Sequence, residues 1–525
     1  MKDFQICPME YFSDRTRKLE TCLIIVENLL KNKVYLYSDI YFEPTTQNIF
    51  DTVFCADAVL NREYLFAMDY LSALLTVYSE NGDEKLLQKF LDIVSQFFDY
   101  YERGAFIPVK KDDMIIHAHA LMFIKSFTAV SYEEPLKSKI IKYLYKCADY
   151  CNDDKNYCDD NNHGLFSDLA LLHLAVLFGT LDEAEKWKAH AVERVQKLFS
   201  VAFYNDGFNN EGSLVYFRHN IIEYREILKF CDAYHISGLE TLKDKLERVE
   251  QVFDSFAHSD GSYPIIGDGK ELLLKKHNNA SALYPHAGVC VVKTGDMYLT
   301  FKCKATLQSH THVDDTSITA RFQNYDLALD TGQYNYDRFH PANRYLRTSG
   351  GHSGIFPIFA DELGLGEYLN RRGVSEIERF DFAGATCYIS GGYEMDNGAI
   401  KVRRNIIVEP ERIEVRDSWT CMTPQNMRQR FVLPKEFLGV SKFTVCKRTF
   451  ETSIGEYSIK YKITAEKTPI VTTMNFGVQS KQYNEIEPTI LLDTVAENSV
   501  AGEITAVITV DKKQDKHLFN DTRRN

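Results

Sequence analysis

From about Asp14 to His258, apolar residues return every three or four positions, the spacing that lines one face of an α-helix. The pattern is clear in RTRKLETCLIIVENLLKN, NREYLFAMDYLSALLTVYSE, DEKLLQKFLDIVSQFFDYYE, SDLALLHLAVLFGTL, DEAEKWKAHAVERVQKLFS and IIEYREILKFCDAYH. Each is long enough for about three to five turns. Short polar breaks join them, which predicts antiparallel helical hairpins. No fixed-period repeat runs through the region, so the common solenoids are disfavoured. Hairpins that pack side by side without such a repeat can close into a ring or arc, and the expected architecture is an α/α toroid, an incomplete helical barrel.

After about Ala287 the period changes from helical to alternating. GVCVVKTGDMYLTFKCKA, DLALDTGQY, ATCYISGGYE, AIKVRRNIIVEPERIEVRDSWT and AGEITAVITVDKK alternate apolar with polar positions, are rich in Val, Ile, Thr and Tyr, and turn at Gly, Asp or Asn. This predicts a C-terminal antiparallel β-sandwich. The fold class is therefore α+β and multidomain, with a toroid over residues 1–280 and a sandwich over 281–525. The break is placed in KKHNNASALYP, Lys275 to Pro285, which is polar and aperiodic. The charged tail from Asp511 to Asn525 is expected to fray.

A chain of 525 residues has ample length for two large domains, so it needs neither disulfides nor metals merely to fold. The 12 cysteines accordingly read as mostly reduced, buried thiols. Cys147, Cys151 and Cys158 lack the paired CxxC spacing of structural zinc sites. With 61 basic against 74 acidic residues the net charge is −13, which argues against a general nucleic-acid binder. A locally basic cleft for a polyanion remains compatible with that balance. No apolar run approaches the ~20 residues needed to span a bilayer. The start MKDFQICPMEYF lacks the basic-then-apolar order of a secretory signal, so the expectation is a cytoplasmic protein or one whose leader has been removed.

Three segments carry candidate chemistry. Asn161-Asn162-His163-Gly164 precedes a helix expected from about Ser167, where amide and imidazole either cap the helix or face a ligand. GFNNEGSLVYFRHN, residues 207 to 220, sets Tyr216 beside Arg218 and His219 at another helix start. Positive charge there would favour a phenolate; the alternative is a packed Tyr216 with a solvated Arg218. In SHTHVDD, His310 and His312 alternate as on one strand and would project to one face. With Asp330 on the next strand and His352 after a loop, they form either a nitrogen-and-oxygen site for zinc or a similar ion, or a hydrogen-bonded buried cluster. Asp314 and Asp315 could serve as ligands instead, but next to a turn they are expected to be solvated carboxylates.

In order, NNHG, EGSxxY, YPIIGD, SHxHxD, LDTGxYxY and GGH resemble the heparinase II/III-like polysaccharide lyases. The resemblance runs from about Asn161 to His352 by motif and over the rest by architecture, and SHTHVDDTSITARFQNYDLALDTGQYNYD is its most specific part. Phe217 and Ser353 depart from the residues common in the family. The resemblance implies β-elimination on a uronic-acid-containing polysaccharide of glycosaminoglycan or alginate type, leaving a 4,5-unsaturated sugar. It assigns Asn162 to the uronate carboxylate, with His163 beside it, Tyr216 to the scissile bond, and His310 to the role of base or carboxylate partner. It gives His312, Asp330 and His352 to a mainly structural divalent metal, zinc first, with Mn or Ca as alternatives. Arg218, Tyr336, Arg344 and Arg347 are the substrate-binding candidates, in a cleft expected between the domains. Two other readings stand beside it. One is a glycoside hydrolase drawing on Asp159, Asp160, Glu211 or Asp268, and the other a non-catalytic polysaccharide-binding or capsule-assembly protein.

Overall fold

A computed structural model describes residues 5–9, 11–12, 17–37, 40–54, 58–274, 276, 278–306, 310–337 and 339–513. The tail beyond residue 513, and Lys275 and His277 of the expected break, lie outside the described residues. The chain forms two compact units, residues 1–202 with 219–247, and residues 203–218 with 248–525.

The longer helices are α1 (Leu19–Leu30), α2 (Ala58–Ala67), α3 (Asp69–Asn81), α4 (Glu84–Glu102), α5 (Asp113–Ala129), α6 (Glu134–Asn152), α7 (His163–Leu177), α8 (Asp182–Ala202), α9 (Leu214–Ala233) and α10 (Glu240–Asp254), and two short ones, Pro341–Arg347 and Leu365–Arg371, follow in the second unit. In the first unit α3 packs on α5 and α5 on α7, while α4 lies against α3, α6 against α5 and α7, and α8 against α7. Side-chain pattern explains the two rows. α4 buries one stripe, Leu86, Phe90, Ile93, Val94, Phe97 and Phe98, as an outer helix does. α7 is apolar nearly all round and buries every residue from Gly164 to Ala175, as a helix enclosed by others must.

NREYLFAMDYLSALLTVYSE reads as one helix, but the structure divides it between α2 and α3 at Met68, whose φ is +56°. The break takes the carbonyls of Leu65 and Phe66 out of the helical ladder. Tyr70 Oη donates to Leu65 O at 3.1 Å, and His119 Nε2 of α5 bonds Phe66 O. Side chains thus replace the lost backbone bonds, a compensation that periodicity does not reveal. No helix among the described residues is long and apolar enough to cross a membrane. The cysteines in the described residues are free thiols, and Cys147, Cys151 and Cys158 are all buried.

Besides a short antiparallel pair, Ser262–Tyr263 with Leu272–Leu273, the second unit carries two larger antiparallel sheets. The smaller runs in chain order: β1 (Ala282–Tyr284), β2 (Val289–Thr294), β3 (Met297–Lys302), β4 (Ser317–Phe322) and β5 (Tyr325–Ala328). The larger contains β6 (Ile355–Pro357), β7 (Arg372–Ala383), β8 (Thr386–Met395), β9 (Ile400–Glu409), β10 (Arg412–Leu433), β11 (Lys442–Thr444), β12 (Thr449–Ile454), β13 (Tyr457–Thr464), β14 (Val471–Gln479) and β15 (Glu487–Lys512). Its main order is β7-β8-β9-β10-β15-β13-β12-β11, with β6 on β10 and β14 on β15. Val292, Leu299 and Ile318 of the small sheet share one core with Ile389, Ile406, Val415 and Ile508 of the large one, so the inward positions of both sheets make a sandwich.

A buried ion pair ties this sandwich to the segments that carry the motifs. Arg404 of β9 faces Asp417 of β10 across the ladder, both fully buried, with two nitrogen–oxygen bonds of 2.7 Å. The free end of the guanidinium donates to Thr316 O at 2.7 Å and Ser353 O at 2.8 Å, next to SHTHVDD and GGHS. Asp417→Ala strands this guanidinium and is expected to cost the sheet unit about 3–5 kcal/mol. Denaturant titration of the variant should show the loss, and an unchanged midpoint would mean that the pair is dispensable.

Candidate active site and metal centre

Three motif segments of the second unit are locked together before any ligand is considered. Gly212 and Gly267 both have φ near +65°, at +68° and +65°, where a side chain would be strained. A Cβ at Gly212 would come 2.6 Å from Thr311 Oγ1, and one at Gly267 2.6 Å from Gly212 O and 2.7 Å from His310 O. Asp268 N donates to His310 O at 2.9 Å, and Ser213 Oγ donates to Asp268 O. The glycines of EGS and YPIIGD are therefore spacers that let those segments touch SHTH. Ser213 also accepts Tyr216 N at 3.3 Å, capping the first turn of α9.

His310 and His312 do not lie on a strand, as their alternation suggested. They sit in an irregular connection, and β4 begins only at Ser317. What gathers them is Asp268. Its Oδ2 faces His310 Nδ1 at 3.1 Å and Arg347 Nη1 at 3.1 Å, and its Oδ1 faces His312 Nε2 at 2.8 Å. Burial opposes the charge of Asp268, but Arg347 and the two imidazoles outweigh it and hold the carboxyl well below the usual range. His310 Nε2 lies 3.5 Å from Glu211 Oε2, and its ring stacks on Tyr216 with centroids 3.3 Å apart and planes at 11°.

Tyr216 does not have the cationic setting its neighbours in sequence suggested. Burial, then Tyr336, Asp268 and Glu211, push its phenol well above the ordinary value, so it is a proton donor at rest. Its hydroxyl is hydrogen-bonded to that of Tyr336, which is itself exposed and packs near Tyr483 at 5.7 Å. Arg218 turns elsewhere: residues two apart on a helix point about 200° from each other. Burial and Asp254 raise the Tyr263 phenol, and Arg218 is the charge opposing them. Arg344 is exposed and donates to Glu362 O at 3.4 Å. Of the three arginines, the structure brings Arg347 to the Asp268 group.

In the helical unit α7 starts at His163, four residues ahead of the expected Ser167. Asn162 stands at the cap position but makes no capping bond with its side chain, while Asn161 Oδ1 accepts His163 N at 2.9 Å. His163 Nδ1 lies 2.8 Å from Asp113 Oδ2. The preceding loop is pinned by Tyr157, whose hydroxyl donates to buried Asp168 at 2.8 Å and whose ring lies 4.2 Å beneath the Arg194 guanidinium.

His312, Asp330 and His352 are all buried, and one potential ligand atom from each lies within 4.8 Å of the others. Asp330 follows the end of β5, and its Oδ1 accepts Thr331 N at 2.7 Å. His352 Nδ1 lies 3.2 Å from Asp330 Oδ2. His312 Nδ1 and His352 Nε2 are buried with no hydrogen-bond partner among the described residues. Two orphaned imidazole nitrogens beside a carboxylate fit a divalent cation. Asp314 and Asp315 are not solvated: both are fully buried, Asp314 on Lys302 Nζ at 2.6 Å, Asp315 on Tyr368 Oη at 2.8 Å and Ser375 Oγ at 2.6 Å. The turn next to them is internal to the sandwich, and those partners make their burial tolerable.

The two departures from the family pattern serve packing. Phe217 is fully buried among Phe203, Phe208 and Phe253, and Ser353 Oγ links Leu329 O to Val432 N. From sequence, Glu211 and Asp268 stand out only as hydrolytic carboxylates. Their position inside EGS and YPIIGD was the signal that they belong with Tyr216 and His310.

The heparinase II/III N-terminus model matches residues 57–290, and the heparinase II/III-like, C-terminal model matches residues 276–494. A crystal structure of heparinase III is similar at a TM-score of 0.82 and 13% identity, covering 98% of this chain and 90% of that one. The heparan sulfate lyase HepC of Pedobacter heparinus gives 0.66 and 13%, over 98% and 86%. The chondroitin AC lyase of Streptomyces coelicolor A3, in complex with chondroitin sulphate, gives 0.62 and 9%, over 97% and 82%. No curated protein matches by sequence. At such identities the structures speak for the fold, a helical toroid followed by an antiparallel β-sandwich, while the two family models between them span most of the sequence: the chain belongs to the heparinase II/III-like polysaccharide lyase family.

Proposed function

We propose that the protein cleaves a uronic-acid-containing polysaccharide by β-elimination, with Tyr216 and His310 at the reacting atoms. The observation that carries this reading is the Tyr216–His310 stack, in which a protonated phenol lies against an imidazole whose Nδ1 is tied to Asp268. Elimination needs one group to take the C5 proton and another to protonate the departing oxygen. His310 Nε2 takes the proton, the C5–H electrons form the C4–C5 double bond, the C4–O bond breaks, and the leaving oxygen receives the Tyr216 proton. The proton on His310 returns to Tyr216 by exchange through solvent and Tyr336. Glu211 Oε2 lies 3.5 Å from His310 Nε2.

Charge building on the substrate carboxylate is met by preorganised donors. That role falls to Asn162 and His163, with Arg347 as the guanidinium for a further carboxylate or sulfate. His312, Asp330 and His352 would hold a divalent metal whose chemistry is structural. Two nitrogens and one oxygen suit zinc better than calcium, which prefers oxygen throughout. The hydrolase alternative needs two carboxylates astride one bond, whereas Glu211 and Asp268 flank one imidazole.

The test is incubation with heparan, chondroitin, hyaluronan and alginate polymers, following ultraviolet absorbance of unsaturated ends. Absorbing products on at least one polymer are expected. New reducing ends without a double bond would make the protein a hydrolase, and binding without turnover would make it a lectin-like module.

A further inference from the structure

His163 is held on two sides by acids that the motif does not contain. Asp113 opens α5, is 1% exposed in its side chain, and sets Oδ2 2.8 Å from His163 Nδ1. Its other oxygen, Oδ1, is buried with no hydrogen-bond partner among the described residues, so its charge is not spent on other donors. Glu63 of α2 is partly buried and close enough to interact electrostatically with His163. The ring is held edge-on by Phe166, centroids 6.1 Å apart at 87°, and its backbone N–H is fixed by Asn161. The imidazole therefore has little freedom to turn, and Nδ1 is committed to Asp113.

We propose that Asp113 and Glu63 are positioning residues that favour the imidazolium form of His163, with Nδ1–H anchored on Asp113 and Nε2–H presented to an anionic group of the substrate. This rests on the lyase reading above and deepens it, because it removes His163 from the candidates for the base. A carboxylate in contact with one ring nitrogen fixes the tautomer and stabilises the charged ring. The opposing influences are real: His163 begins a helix, whose N-terminus disfavours a cation, and Lys111 precedes α5. Burial also works against the charged ring, but the contact with Asp113, with Glu63 behind it, more than reverses these and raises His163 above its ordinary value. Asp112, which faces the same region, is occupied by Arg62 at 3.3 Å and by Val109 N at 3.0 Å. Burial raises the Glu63 carboxyl against the pull of His163, and Asp112 and Asp113 add to the rise.

The sign follows from linkage. A donor that must be protonated acts below its folded pKa and is lost as pH rises through it. Removing a contacting carboxylate should lower that pKa by about 1 unit or more. The experiment is histidine ring ¹⁵N NMR of the full-length protein across pH, with His163→Gln to assign the signal, on wild type, Asp113→Asn and Glu63→Gln. Titration above about 6.5, the ordinary histidine value, is expected in the wild type, with a fall in Asp113→Asn and a smaller one in Glu63→Gln. In parallel, kcat/KM should lose its alkaline limb at lower pH in Asp113→Asn, by about the same shift, while the acid limb stays put. Glu63→Gln, at a partly exposed position, keeps the test decisive if Asp113→Asn misfolds.

A His163 that titrates at or below the ordinary histidine value in the wild type, or that titrates unchanged in both variants, overturns the proposal. So does an acid limb that moves instead of the alkaline one, since that is the behaviour of a base. Failure of the lyase reading looks different. The NMR would show the anchored imidazolium while no uronate polymer yields an unsaturated product, and Asp113 would keep its positioning role in a protein of another activity.

Discussion

Tyr216→Phe is expected to lower kcat by about 10²–10⁴-fold, the usual weight of a general acid or base, with KM little changed. The argument is one of protonation state and of place. Burial and the acids around it keep this phenol protonated, so at rest it can give a proton to a leaving oxygen but cannot take one from carbon. Phe retains the ring that stacks on His310 and removes only the O–H, together with its bond to Tyr336. Loss of that hydrogen bond should cost about 0.5–1.5 kcal/mol of stability, too little to unfold a domain. Tyr336→Phe is the matched control. It removes the same bond from its exposed side and leaves the Tyr216 hydroxyl in place, so turnover should fall by less than about tenfold if only the Tyr216 proton reacts. Polymer cleavage by both variants, followed by absorbance with thermal melts alongside, separates the roles. Turnover by Tyr216→Phe within threefold of wild type would transfer the acid role elsewhere, and equal losses in the two variants would make the tyrosine pair a single packing element.

The expectations that held rest on repetition, and those that failed rest on single contacts. Helical and alternating periods announced a toroid and a sandwich because packing against a layer repeats along many residues, and one odd position scarcely disturbs the pattern. Met68 shows the limit: it lies inside a continuous helical period, and the break there is allowed by Tyr70 and by His119, a residue fifty positions away, which take the orphaned carbonyls. The site is less legible for the same reason. His310 and His312 fit a strand by spacing, yet what joins them is a carboxylate from YPIIGD, forty residues earlier in the chain. Of the two readings open for Tyr216, the packed one holds and the cationic one does not: Arg218 is near in sequence but turned away on the helix, whereas Glu211, Asp268 and Tyr336 arrive through folding. Asp113 had no signal at all: an acid before an apolar helix is an ordinary sight, and only the 2.8 Å contact with His163 distinguishes it. The resemblance to a family supplied residue roles; it could not supply the carboxylates that orient them.

Metal removal is expected to weaken both stability and turnover, and the reason is a chain of two contacts. His312 Nδ1 and His352 Nε2 are buried without partners among the described residues, a state that costs about 1–3 kcal/mol for each polar atom unless something else satisfies it. A zinc ion would satisfy both, with Asp330 as the anionic ligand. The other nitrogen of His312 lies on Asp268 Oδ1, and Asp268 Oδ2 faces His310. Ordering His312 therefore orders Asp268 and, through it, the imidazole assigned as base. The purified protein should contain about one equivalent of zinc per chain by elemental analysis. A site saturated a thousandfold above its Kd contributes about 4 kcal/mol, so chelation should lower the melting temperature of the sheet unit by several degrees, and zinc should restore it. His352→Ala should lose the metal and reduce turnover about 10–100-fold, although His352 is not assigned any contact with substrate. Asp268→Asn makes the complementary dissection: it removes the carboxylate behind His312, so metal affinity should fall by about 10–100-fold without the loss of a ligand, while turnover falls even at saturating zinc as His310 loses its anchor. If chelation changes neither melting nor turnover, or if Asp268→Asn at saturating zinc turns over like wild type, the coupling between the metal centre and His310 does not exist as drawn, and the two orphaned nitrogens need another explanation, such as a buried water bridging them.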